Sequence, residues 1–148
     1  MKVLVCTDGS MQSQKAIKEA AKIAGGCNAD EVVIIHVYNK NIYSDLVYGG
    51  LSGPQMIKEI EELEKGKEKK IAVIFAEAKK NFEEKGIKAT TLLKEGHPAE
   101  TIAQVADEGD FDMVVIGSRG LGGLKKAFLG SISNAVVQQV DTKVLVVK

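Results

Sequence analysis

The stretch Met113-Val114-Val115-Ile116-Gly117-Ser118-Arg119-Gly120-Leu121-Gly122-Gly123-Leu124-Lys125-Lys126-Ala127-Phe128-Leu129-Gly130-Ser131 passes from an apolar run, through a glycine-rich loop, into a helical pattern beginning near Ile132. An unbroken apolar run, as opposed to an alternating one, is the pattern of a strand covered on both faces. Strand, loop and helix in that order are the building unit of a parallel α/β sheet. Six of the fifteen glycines lie between Gly109 and Gly130, which lets other groups approach the backbone closely. A helix N-terminus after such a loop offers unpaired N–H groups and the positive end of a dipole, which suits an anion such as phosphate. The hydroxyls of Ser131 and Ser133 add donors at the same place.

The same unit recurs outward from this stretch. Lys2–Thr7 is an apolar strand closed by Asp8-Gly9-Ser10, and Ala16, Ile17, Ala20, Ala21, Ile23 and Ala24 repeat at helical spacing over Ser13–Ala24. Gly25-Gly26 is the expected helix end. Glu31–Val37 is a second strand, built on Val32-Val33-Ile34-Ile35. Asn39–Gly53 breaks the pattern and reads as a surface loop. Pro54 then opens one long helix to about Lys85, with Gly66 its weak point. The charged run Glu59–Lys70 reads as a solvated helical face. Ala89–Lys94 is the third strand, Gly96-His97-Pro98 a turn into the helix Ala99–Glu108, and Asp112–Ile116 the fourth strand. Ile132, Ala135, Val136 and Val140 mark a short helix before the last strand, Lys143–Val147. Five strands alternating with four helices predict an α/β, doubly wound, parallel sheet. The apolar strand Val144–Val147, if it lies at an edge, is an exposed pairing template that a homodimer would cover.

A chain of 148 residues suits one domain, 1–148, with a real core. Twenty basic residues balance twenty acidic ones, so no net field draws nucleic acid or an anionic membrane. Neither a signal peptide nor a membrane span is expected, and the protein is read as soluble and cytoplasmic. Cys6 and Cys27 lack metal-site spacing and are read as structural thiols.

In a doubly wound sheet, ligands bind beyond the carboxyl ends of the strands where the strand order reverses. If strands one and four flank that point, Thr7-Asp8-Gly9-Ser10 and the Gly117 loop face one crevice. Asp8 there suits a ribose hydroxyl, or Mg²⁺ carried in with phosphates. It would also serve as the N-cap of the first helix. Backbone groups near Val37 would meet a base edge, while His36 and His97 read as packed or turn residues. Arg119 reaches phosphate or solvent, and Lys125 and Lys126 suit a loop surface. The sequence has no GxxxxGK[ST], no GxGxxG after a strand and no GxSxG elbow. Without a catalytic constellation, the pattern favours binding over efficient chemistry.

These residues resemble the ATP-binding branch of the universal stress protein family. That branch carries Gly, two residues, Gly, nine residues, then Gly-Ser or Gly-Thr, complete here as Gly117, Gly120, Gly130 and Ser131. The opening Val-Leu-Val-x-Thr-Asp-Gly-Ser, the His36-Val37 strand end and the closing Val-Leu-Val-Val extend the resemblance across the chain. It implies a Rossmann-like fold of the adenine nucleotide alpha hydrolase-like kind, with sheet order 3-2-1-4-5 and dimers through the last strand. It further implies that Thr7 and Asp8 face ribose and metal, and that the Val37 backbone meets adenine. Ile116 and Gly117 would line the nucleoside, and Arg119 and Gly120 would lie beside the phosphates. Gly130, Ser131 and Ile132 would hold the phosphate chain at the helix start, with Ser133 at the same anion site. Cys6 stands where many members carry proline or another residue, and Asn39–Gly53 falls in the family's variable region.

The expected function is therefore a dimeric regulator of the stress-response type that binds ATP, ADP or AMP and is read by a protein partner. A slow Mg²⁺-dependent nucleotide hydrolase or phosphotransferase, and a dimerisation module without nucleotide, are the rival readings.

Overall fold

The computed structural model describes residues 1–39, 53–121 and 129–148. Its elements are β1 (Lys2–Cys6), α1 (Met11–Gly26), β2 (Glu31–Tyr38), α2 (Gly53–Glu83), β3 (Ala89–Glu95), α3 (Pro98–Glu108), β4 (Met113–Gly117), α4 (Ser131–Gln139) and β5 (Lys143–Val147). All five strands run parallel in the order β3-β2-β1-β4-β5. This is the doubly wound, Rossmann-like sheet expected, with β5 at an edge. The loop expected at Asn39–Gly53 lies, from 40 to 52, outside the described residues, as do Lys125 and Lys126.

Successive strand residues point to opposite faces, so the unbroken apolar runs supply two cores at once. Val3, Val5, Val32, Ile34 and Val115 face α1 and α2, where they meet Ala16, Ile17, Ala20, Ala24, Ala78 and Phe82. Leu4, Cys6, Val33, Ile35, Val114 and Ile116 face α3 and α4, against Ile102, Ala103, Ala106 and Val136. The alanines of α1 bring that helix close to the sheet. A Cβ added at Gly117 would lie 2.8–2.9 Å from the backbone of Gln12 and Ser13.

One local expectation is corrected. The cap of α1 is Ser10, not Asp8: the Ser10 hydroxyl accepts from the Ser13 N–H at 3.2 Å. Helix α1 ends at Gly26, as expected, and the left-handed residue that follows is Asn28 (φ 48°), beyond the Cys27 cap. Asparagine tolerates that conformation, and the N–H groups of Cys27 and Ala29 still reach the Ile23 and Ala24 carbonyls at 2.9 Å. Gly66 does not interrupt α2, which runs unbroken for 31 residues.

Candidate functional site

A cavity of about 390 Å³ opens at the carboxyl ends of β1, β2 and β4. It sits where the chain, having built outward from β1 to β3, returns to build from β4 to β5. Strand ends diverge there and leave a crevice.

The floor is the turn that follows β1. Gly9 adopts φ +80°, open to glycine at little cost, and turns the chain into α1. Asp8 Oδ1 accepts from the Ser10 N–H at 2.9 Å, which fixes the carboxylate. Its other oxygen faces the glycine loop: a Cβ added at Gly120 would collide with Asp8 Oδ2. Ser13 Oγ donates to the Ser10 carbonyl at 2.9 Å and lies 3.3 Å from Thr7 Oγ1, so both buried hydroxyls are held.

One wall is apolar. Cys6, Ile35, Val37, Pro98, Ile102, Ile116 and Ile132 line it. Burial pushes the Cys6 thiol up to about 12, and the negative charge of Asp8 adds to the shift, so Cys6 is an unreactive part of the wall. Strand geometry sets the direction of the Val37 backbone. The Ile35 carbonyl accepts from Thr7 N–H on the β1 side, and the Tyr38 carbonyl accepts from Gly96 N–H on the β3 side. Alternation then turns the Val37 N–H and C=O toward β1, level with the point where β1 has turned away. His36 Nδ1 lies 2.8 Å from the Thr7 carbonyl, and its ring stands edge-on to Phe75. It braces the end of β1, as its reading as a packed histidine expects.

The opposite wall is polar. Gly130 is the N-cap of α4 with extended backbone and no side-chain capping bond, so the first N–H groups of the helix are open to a ligand. The Gly130 N–H donates to the Ser118 carbonyl at 2.8 Å, which pins the far end of the loop beside its start. Ser133 is buried, and its hydroxyl lies 3.0 Å from both the Ser118 and Gly130 carbonyls. Its proton is directed to the loop backbone, not into the cavity.

All eleven residues selected from sequence line this cavity: Thr7, Asp8, Val37, Ile116, Gly117, Arg119, Gly120, Gly130, Ser131, Ile132 and Ser133. Sequence reasoning did not assign Ser13, Ile35, Pro98, Ile102 or Leu121 to it. Ile35 and Ile102 carry only a core signal, and no local pattern marks the first turns of α3 as a cavity wall. His97 caps α3 without a side-chain bond, as a turn residue. Among the described residues, no three His, Cys, Asp or Glu side chains converge as a metal site. No helix there is long and apolar enough to cross a membrane.

The sequence profile of the universal stress protein family matches residues 1–148. The universal stress protein YxiE of Bacillus subtilis is 36% identical over 149 residues, which is 99% of this chain and 98% of that one. The crystal structure of a universal stress protein in complex with cAMP superposes with a TM-score of 0.68 at 26% identity, covering 100% of this chain and 96% of the other. The universal stress protein from Archaeoglobus fulgidus in complex with dAMP shares the fold, with a TM-score of 0.65 at 20% identity over 100% of this chain and 98% of that one. The chain belongs to the universal stress protein family.

Proposed function

We propose that this family member binds an adenine nucleotide, ATP, ADP or AMP, in the cavity between β1, β2 and β4, and acts as a dimeric, nucleotide-dependent regulator. The observation that carries the reading is the pairing of an apolar wall with an uncapped helix N-terminus across one cavity of about 390 Å³. That volume falls within the range of small-molecule sites. The apolar wall suits a base, with the Val37 backbone at its edge. Thr7 and Asp8 suit the ribose, and Gly120, Gly130, Ser131 and Arg119 suit the phosphates. The relatives described in complex with cAMP and dAMP support an adenine nucleotide as ligand.

Asp8 is a single carboxylate, so Mg²⁺ would be held here jointly with phosphate oxygens and not by the protein alone. The regulatory reading is supported by how the groups in and beside the cavity are held, while Asp8 keeps one oxygen toward the glycine loop. Cys6 is a neutral thiol, Ser13 and Ser133 are bonded to backbone carbonyls, and His36 is turned to Thr7. None is poised as base or nucleophile. Turnover well above roughly once per second would move the reading to an enzyme. Dimerisation would proceed through β5, where Val144–Val147 are half-buried at the sheet edge.

Thermal unfolding with ATP, ADP, AMP and GTP, each with and without Mg²⁺, tests the reading. Ligand at a hundred times its dissociation constant should stabilise by about 2.7 kcal/mol, a melting shift of roughly 5–10 °C. The shift should appear with adenine nucleotides and not with GTP. No shift with any nucleotide at millimolar concentration would reject it.

A further inference from the structure

The ladder between β1 and β2 ends on a side chain. Its register runs from Lys2 beside Glu31 to Cys6 beside Ile35, which sets Thr7 beside His36. The Thr7 N–H donates to the Ile35 carbonyl at 2.9 Å. In a regular parallel ladder the next bond runs from the Val37 N–H to the Thr7 carbonyl, because a residue bonds the two that flank its neighbour. Here the His36 ring takes that carbonyl instead, with Nδ1 2.8 Å from the oxygen. Among the described residues, no backbone bond joins Val37 to Thr7.

A carbonyl oxygen only accepts, so the Nδ1 facing it carries the proton. The half-buried ring stands edge-on to Phe75 of α2, with centroids 6.3 Å apart and planes at 86°. Aromatic pairs prefer that arrangement, and it holds the imidazole where it meets Thr7. His36 thus bonds the carbonyl from the face covered by α2, while Val37 lines the cavity on the other face. Without the ring, the Thr7 carbonyl would take the nearest donor, and ladder geometry makes that the Val37 N–H.

We propose that His36 is a positioning residue for base recognition: by occupying the Thr7 carbonyl it keeps the Val37 N–H open to the cavity, as a donor to N1 of adenine. This rests on the reading of the cavity as an adenine-nucleotide site. Val37 then offers one donor and one acceptor, the complement of N1 and the 6-amino group. Hypoxanthine reverses both, with a donor at N1 and an acceptor at position 6. A site built around such a pair rejects the base that leaves it unmatched.

Two variants test this. His36→Phe keeps a ring against Phe75 and removes the donor, whereas His36→Asn restores a donor near the place of Nδ1. Titration calorimetry with AMP and IMP reads the base preference, and amide hydrogen exchange by NMR reads Val37 without nucleotide. Protected Val3 and Val5 amides show that each variant is folded. In the wild type the Val37 amide should exchange fast, and AMP should bind roughly tenfold more tightly than IMP, the value of about one hydrogen bond. His36→Phe should slow exchange at Val37 and weaken AMP by about tenfold while sparing IMP, and His36→Asn should recover most of both effects. A Val37 amide already protected in the wild type, or a loss shared equally by AMP and IMP, overturns the proposal. An open Val37 amide that His36→Phe closes, in a protein that binds neither nucleotide, upholds the control of Val37 by His36 and rejects adenine as the ligand.

Discussion

Gly117 and Gly130 stand at the two ends of one motif, yet the fold uses them differently. At Gly117 an added Cβ would meet three backbone atoms of α1 at 2.8–2.9 Å, and backbone cannot swing aside. At Gly130 the nearest atom would be Arg119 Cα at 3.3 Å, with the backbone in an ordinary extended conformation (φ −64°, ψ 155°). The first glycine lets a helix lie against a strand end. The second keeps a helix N-terminus open to the cavity. A spacing pattern treats them alike, whereas their surroundings make one a packing requirement and the other a requirement of access.

Gly117→Val should have the largest effect. Forcing a branched side chain into the α1 backbone costs about 3 kcal/mol, a fall in melting temperature of about 6–12 °C. Urea unfolding measures it, and near-wild-type stability would erase the distinction between the two glycines. Gly130→Leu should still fold, at a cost of about 1 kcal/mol, because the Arg119 backbone 3.3 Å from an added Cβ must shift only slightly. It should lose the nucleotide-induced stabilisation of about 2.7 kcal/mol. Retained nucleotide shifts would place the ligand away from α4. Ser133→Ala should have the smallest effect, about 1 kcal/mol from one lost hydrogen bond. Most of the nucleotide shift should survive, because the hydroxyl is directed to Ser118 and Gly130. Abolished binding with unchanged stability would instead make Ser133 a ligand contact.

The sheet was legible because its signal is long and redundant. Five apolar runs bury residues on both faces, and the 3.6-residue spacing of Ala16, Ile17, Ala20, Ala21 and Ala24 needs no tertiary knowledge to read. The polar rim of the cavity was legible through its glycine spacing and strand-end residues. The apolar wall was only half so. Val37 and Ile116 were found, while Ile35 and Ile102 look like any core residue until α3 is laid on the sheet. Choosing the cap of α1 also exceeded the sequence, since Asp8 and Ser10 are both good capping residues and two positions apart. The structure gives the cap to Ser10 and leaves Asp8 Oδ2 toward Gly120.

Sequence alone determined the alternation of strands and helices, the layering and the two ends of the glycine loop, because hydrophobic period and glycine placement are local properties. Tertiary structure decided which donors remain open. The Ser118 N–H reaches the Val147 carbonyl, and the Ser133 hydroxyl turns back to Ser118. These outcomes depend on partners from separate segments of the chain, and the direction of a single hydroxyl is fixed only once both partners are in place.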